Sequence, residues 1–295
     1  MNNINEIAEE SVKLKSISHS EISTHYSCHW KHKISYIDKP IEKETTQYTG
    51  FGIALHAVVE NKHKQTDNRT DSEIFEDHLK NEFEKIKLKT LLTKKEKEEQ
   101  WFDESKLKQR KTKLFEEMIK HGNKLLPELF KEMINKFGNY KILSVEEKLE
   151  YPLEHLGYPK NKFKGYIDLV IELEDGTVAI IDIKTTSWGW DVHKKTDKLT
   201  TYQLAYYKHF YSLIHNKDIS GIKTYFCLLK RTAKPESCIE IFESPVGKVK
   251  INNSIELMQE TLRLIDKKIY IKNRKSCTNQ KIGFDCPFYK TEWCQ

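Results

Sequence analysis

The hydrophobic residues of this chain change period at Ile142. Before it they recur at three and four, as on helices; after it they alternate, as on strands. Leu143, Val145, Glu147, Leu149 and Tyr151 would share one strand face. Residues 164–173 and 177–185 read as two more strands around Glu174, Asp175 and Gly176. Lys198 to His215 has helical spacing, and 221–230 alternates again through Ile222, Thr224, Phe226 and Leu228. Residues 238–242 fit a short edge strand, and 249–271 a last helix with Ile251, Ile255, Met258, Leu262 and Ile265 on one face. Upstream, Ser18 or Ser20 can cap a helix carrying Ile22, Tyr26, Cys28 and Trp30. Leu55, Val58 and Val59 mark the buried face of the next helix, from which His56 and Glu60, four apart, project together. Residues 61–138 are dense in Lys and Glu, with apolar residues from Phe75 to Ile134 at helical intervals, and predict two to four helices. The elements predict one α/β domain over 1–295: a central mixed β-sheet flanked by helices, a helical insert at about 61–138 and a cysteine-bearing tail at 272–295.

The alternating stretch contains a contradiction that points to chemistry. Val178 to Lys184 is an apolar strand interrupted by Asp182 and Lys184, and Asp168 interrupts its neighbour. Burying unpaired charge is costly, and a metal ion in the same place removes the cost. Whether the two acids meet depends on the turn. A two-residue turn at Asp175 and Gly176 would set them on opposite faces. A three-residue loop over 174–176, with Gly176 left-handed, would pair Asp168 with Asp182 on one face, their Cβ atoms about 5 Å apart, a span one divalent ion can bridge. The charges predict the three-residue loop. Oxygen ligands from Asp168 and Asp182, with the Ile183 carbonyl, suit Mg²⁺ or Mn²⁺. Such an ion would hold a phosphate oxygen and activate water for phosphodiester hydrolysis, with Lys184 orienting the water or stabilising the transition state.

Composition narrows the class. The chain is 38% hydrophobic and 32% charged, without an apolar run of about 18 residues, which excludes a membrane span. Its first ten residues are acidic and lack an apolar signal core, so a cytoplasmic location is expected. There the six cysteines would be free or metal-bound. A net charge of +6 permits nucleic-acid binding without requiring it.

Gly52-x-x-x-His56-x-x-x-Glu60, Gly165-x-x-Asp168, Asp182-x-Lys184 and Gln203-x-x-x-Tyr207 occur in that order on the predicted elements. Together they resemble the RecB-type branch of the PD-(D/E)XK nuclease superfamily, which includes AddB-like, CRISPR-associated RecB-like and phage exonucleases. The resemblance covers about residues 16–295 and is weakest over 61–138. It implies a restriction-endonuclease-like core. It also implies that Asp168 and Asp182 bind metal, that His56 is a further ligand giving some preference for Mn²⁺, and that Lys184 is catalytic. Gln203 and Tyr207 match the branch's helix motif and can reach one phosphate or orient Lys184. An acid from the preceding strand is also implied; Glu146 and Glu147 both qualify, and periodicity favours Glu147. Related nucleases often hold a [4Fe-4S] cluster on one cysteine before the histidine helix and three near the C-terminus. Cys28, Cys277, Cys286 and Cys294 have that layout but not the usual tail spacing, so a cluster, zinc and unligated thiols all stay open. Cys227 and Cys238 lie in or near strands and read as core thiols.

Trp188 and Trp190, just after the active strand, can either stack on bases of a single strand or cover the edge of the sheet. Lys194 and Lys195 sit near the same mouth and can follow phosphates. The expected function is metal-dependent DNA cleavage, as an exonuclease on single strands or ends rather than a sequence-specific endonuclease. A catalytically silent DNA-binding or scaffold subunit is the alternative. Recombination, repair, CRISPR-adaptation or phage replication proteins are the partners this reading admits.

Overall fold

A computed structural model describes residues 14–39, 44–93, 95–96, 102–278 and 286–294. In chain order the elements are β1 (Lys15–Ile17), α1 (His19–Ser27), α2 (His29–His32), α3 (Gln47–Lys64), α4 (Asp71–Glu84), α5 (Glu104–Phe137), β2 (Tyr140–Leu153), β3 (Tyr158–Leu173), β4 (Val178–Thr186), α6 (Val192–Thr196), α7 (Lys198–His215), β5 (Ile222–Lys230), β6 (Ile239–Glu243) and α8 (Lys248–Asp266). The six strands form one mixed sheet in the order β1-β3-β4-β5-β6, with β2 pairing β3 off that path. β1 is parallel to β3, β3 antiparallel to β4, β4 parallel to β5, and β5 antiparallel to β6. The parallel β4–β5 pair needs a crossover, which α6 and α7 supply. β1 escaped sequence reasoning because three residues carry no period.

Contacts divide the chain into two compact units: residues 39–147 with 166–252, and residues 1–38 with 148–165 and 253–295. The larger unit holds the centre of the sheet. β4 is buried from Val178 to Ile183, as a strand covered on both faces should be. Leu169, Ile171, Ala179, Ile181, Ile183, Tyr225 and Cys227 share a core with Phe51, Leu55 and Val59 of α3, Phe75 and Leu79 of α4, and Leu125, Leu129 and Met133 of α5. The opposite face of β4 and β5 packs against α7. The segment predicted as an insert thus becomes the end of α3, a short 3₁₀ turn at Leu88–Leu91, α4 and α5. α5 runs 34 residues through Pro127. A proline in a helix interior normally ends it, but Leu125, Leu126, Leu129 and Met133 are buried on both sides of it and hold the helix against the core.

Gly122 is where α5 meets α4. A Cβ there would stand 2.1 Å from Phe75 Cε1, and Phe75 is itself locked edge-on against Phe51 at 5.5 Å. Gly122→Ala should therefore lose stability despite the better helix propensity of alanine, by about 1–3 kcal/mol as for other overpacked cores. Denaturant titration should show a lower midpoint with an unchanged slope.

In the smaller unit Ser18 caps α1, its Oγ accepting from Glu21 N at 3.3 Å. Cys28 breaks the expected helix in two, and its sulfur caps α2 by accepting from Lys31 N at 3.4 Å. His25 and His29 stack at 4.2 Å, and His32 meets His25 edge-on at 5.1 Å. Buried ring nitrogens of all three lack hydrogen-bond partners. Burial, then the charges of His29 and His32, lowers His25 to about 4, while Glu260 opposes weakly. A histidine depressed on folding contributes stability that is full above its unfolded value of about 6.5 and is lost as pH falls towards its folded value, here on the order of 3 kcal/mol. Unfolding free energy should fall between pH 6.5 and pH 4, and His25→Phe should flatten that fall.

Candidate active site

Gly176, at φ +80, closes a three-residue loop over 174–176 between β3 and β4. Leu173 N donates to Thr177 O, and Gly176 N to Leu173 O, both at 2.9 Å. The register runs Leu169↔Ile181 and Val170↔Ile180. One step further sets Asp168 opposite Asp182 on one face, so the two-residue turn is excluded.

Asp182 is 0% exposed, and apart from the Lys184 ammonium neither carboxylate oxygen has a polar partner among the described residues. Lys184 Nζ stands 2.8 Å from Asp182 Oδ2 as its ion-pair partner. Asp168 Oδ2 accepts from Ile183 N at 2.6 Å, which ties β3 to β4 beside both acids. Asp168 Oδ1 lies 3.6 Å from His56 Nδ1, and that nitrogen is 2.7 Å from Glu146 Oε1. His56, Glu146 and Asp168 each present a ligand atom within 4.8 Å of the other two. Four elements thus converge: α3 brings His56, β2 Glu146, β3 Asp168, and β4 Asp182 with Lys184.

Burial, followed by the charge of Asp182, pushes the Asp168 carboxyl well up, against His56 and Lys184. For His56 burial acts downward, but the Glu146 hydrogen bond and the charges of Asp168, Glu146 and Asp182 outweigh it and raise the imidazole. Burial also opposes the Lys184 ammonium, yet Asp182 and Asp168 raise it, so it remains a cation. Tyr207 is pushed up by burial and then by Asp182, and stays a neutral hydroxyl. Gln203 Nε2 donates to Tyr207 Oη at 2.9 Å, one turn apart on α7, whose start is capped by Asp197.

Glu147, which periodicity favours, is not in this group; its carboxylate pairs with His215 and Ser144. Glu146 takes the place because its backbone is left-handed, at φ +47, an uncommon conformation for a side chain other than glycine. The alternation of β2 breaks there, and parity counted along the strand no longer tells which side chain faces the site. A cleft of about 400 Å³ opens at this point, lined by Gly52, Ile53, His56, Ala57, Glu60, His78 and Glu146. His78 gave no signal in the sequence, since it lies in the charged helical stretch.

Trp188 is 74% exposed beyond the end of β4. Trp190 instead packs edge-on to Phe226 at 5.0 Å, with Lys194 over its ring at 5.6 Å. Lys195 pairs with Glu240 and lies over Phe242. Trp190 and Lys195 therefore have intramolecular partners, and Trp188 offers its ring to solvent.

In the smaller unit Cys28, Cys286 and Cys294 each lie near enough to Cys277 to act on its thiol. Cys277 is pushed up by burial and then by the neighbouring thiols of Cys286, Cys294 and Cys28. Cys286 N donates to Cys277 O at 2.9 Å, and Asn273 N to Cys28 Sγ at 3.4 Å. Four thiols, one already receiving backbone N–H donors, make a donor set suited to a soft metal or an iron–sulfur cluster. Cys227 and Cys238 are buried in the other unit.

The mixed sheet thus carries two facing acids and a lysine at its centre, with the histidine of α3 beside them. The profile of the PD-(D/E)XK nuclease superfamily matches residues 16–295, and the chain belongs to that superfamily. Among solved structures, a provisionally named exonuclease from Eubacterium rectale aligns with a TM-score of 0.52 at 12% identity, covering 97% of this chain and 94% of that one. At that identity the likeness concerns the fold. SSO0001 is 17% identical over 89% of this chain and 96% of its own, but its TM-score of 0.33 carries no weight. Comparison with curated proteins gives no match. Among the described residues no helix is long and apolar enough to cross a membrane.

Proposed function

We propose that the protein is a divalent-metal-dependent deoxyribonuclease, an exonuclease acting on single-stranded DNA or DNA ends. The observation that carries this reading is the fully buried Asp182 carboxylate facing a second acid, Asp168, with Lys184 as its ion-pair partner. Lys184 offsets one of the two facing acids, and a divalent cation would offset the other.

His56, Glu146, Asp168 and Asp182, with the Ile183 carbonyl, would hold Mg²⁺ or Mn²⁺, and the imidazole suits Mn²⁺. The ion supplies Lewis acidity, polarising a phosphate oxygen and making bound water more acidic. Lys184, held as a cation by two carboxylates, offers its charge to the phosphorane-like transition state. Tyr207, neutral and braced by Gln203, can donate to a phosphate oxygen. The Ile183 N–H fixes Asp168 with its second oxygen left for the metal. The four cysteines of the smaller unit would hold a [4Fe-4S] cluster that ties the N-terminal helices to the C-terminal segment. A cytoplasmic role in recombination, repair, CRISPR adaptation or phage replication fits this chemistry.

Mn²⁺ titration by calorimetry tests the metal site. Asp168 and His56 both hold protons more tightly than free groups do. Metal must therefore displace protons near neutral pH, and affinity should rise with pH. Heats in buffers of different ionisation enthalpy should reveal that release. Binding without proton release, or binding unchanged in Asp168→Asn, would refute the assigned ligands.

A further inference from the structure

Just beyond Lys184, the end of β4 and the start of α3 build a second feature. Arg231, the residue after β5, is 6% exposed, and its guanidinium lies 4.4 Å from the Tyr48 ring centre and 5.7 Å from that of Phe51. Its Nη2 donates to Ser187 Oγ at 2.8 Å, and its backbone N to Thr186 O at 2.9 Å. Among the described residues no carboxylate lies within ion-pair distance of it, and burial lowers its pKa. Thr186 Oγ1 donates to the Trp188 carbonyl at 2.6 Å, which fixes the backbone that presents the Trp188 ring. Tyr48 is 48% and Trp188 74% exposed. Tyr48 thus stands half in solvent over a buried cation, and the exposed Trp188 ring follows the Ser187 turn that this cation holds.

The feature belongs beside the metal site. A Cβ on Gly52 would lie 3.7 Å from Thr185 Oγ1, so the first turns of α3 run against the end of β4. Tyr48 precedes His56 by two turns on that helix, about 12 Å along its axis. Exposed aromatic rings next to positive charge are how proteins hold unpaired nucleotides: every base has a face to stack, and the charge attracts the backbone whatever the sequence. Duplex DNA keeps its bases stacked on one another and offers such rings nothing.

We propose that Tyr48 and Trp188, positioned by Arg231 and Ser187, form a stacking subsite for unpaired bases flanking the cleaved phosphate, and that it makes single-stranded DNA the strand the protein grips. This rests on the nuclease reading and adds a substrate-selecting element to it. Tyr48 and Trp188 contact the bases. Arg231 is a positioning residue that braces the Tyr48 ring and ties it to the Ser187 turn.

The test is fluorescence anisotropy with a labelled 12-nucleotide single strand and the corresponding duplex, in EDTA, on the full chain. Tyr48→Ala and Trp188→Ala change exposed rings and leave the core intact. Each should weaken single-strand binding about tenfold, in the range of one base–aromatic stack, and leave duplex binding within twofold. Arg231→Gln should weaken single-strand binding and spare the duplex, as the ring variants do, and all three should keep the wild-type slope of log affinity against log salt, because a side chain 6% exposed contacts no phosphate. Single-strand binding within twofold of wild type in both ring variants, or an equal loss for single strand and duplex, would overturn the subsite. Because no metal is present, binding reads the subsite alone; failure of the nuclease reading shows itself in a parallel incubation with Mg²⁺ or Mn²⁺, as a wild type that grips single strands through these rings and leaves them uncut.

Discussion

Lys184→Ala is expected to lower DNA cleavage by about 10²- to 10³-fold, the usual cost of removing one preorganised charge from a transition state. The same substitution should destabilise the protein, and that coupling is the informative part. Asp182 is fully buried, and the Lys184 ammonium 2.8 Å away is the cation that offsets its charge. Removing one member of a buried pair leaves the other uncompensated. The Lys184 side chain is 34% exposed, so solvent screens part of the attraction, and the expected loss is about 2 kcal/mol. Lys184→Ala combined with Asp182→Asn should recover most of that stability while remaining inactive. Chemical denaturation beside a cleavage assay checks both halves. A Lys184→Ala protein as stable as wild type would contradict the role given to Lys184 as the partner of buried Asp182.

Glu146→Gln should reduce metal-dependent cleavage by at least about a hundredfold, since even outer partners of metal ligands cost 10- to 100-fold, whereas Glu147→Gln should stay within about twofold of wild type. The contrast follows from two adjacent side chains with different partners. Glu146 meets His56 at 2.7 Å and completes the group with Asp168. Glu147 is engaged by His215 and Ser144 on another side of β2. Raising Mn²⁺ should partly rescue Glu146→Gln, because the lost group would act through metal affinity, and should do nothing for Lys184→Ala. Cleavage at a range of Mn²⁺ concentrations reads both. Equal loss in the two glutamine variants would contradict the placement of Glu146.

Much of the sheet can be read from the sequence because its signals are local. The facing of Asp168 and Asp182 follows from one residue, Gly176, whose left-handed φ permits the three-residue loop that fixes the register. The β4-α7-β5 order is legible because a buried strand, a capped helix and an alternating strand follow one another, with only the short α6 and a turn between them. What escapes has physical reasons too. The choice between Glu146 and Glu147 is lost because counting by two presumes extended backbone, and Glu146 at φ +47 is not extended. The length of α5 is hidden by Pro127, which local rules treat as a stop and tertiary packing overrides. The Tyr48–Arg231 stack joins residues far apart in the chain, neither unusual among its neighbours. Trp188 and Trp190 look equivalent in sequence, and only the rings of Phe226 and Phe242 on β5 and β6 separate them.

The central claim is that Asp168, Asp182 and Lys184 form a metal-dependent phosphodiesterase centre. End-labelled single-stranded and duplex DNA, incubated with the protein and Mg²⁺ or Mn²⁺ beside Asp182→Asn, tests it most directly. The account predicts cleavage by wild type with either ion, faster on single strands, abolished by EDTA and by Asp182→Asn. Cleavage that survives Asp182→Asn, or a folded wild type that binds Mn²⁺ and leaves every DNA intact, would contradict it.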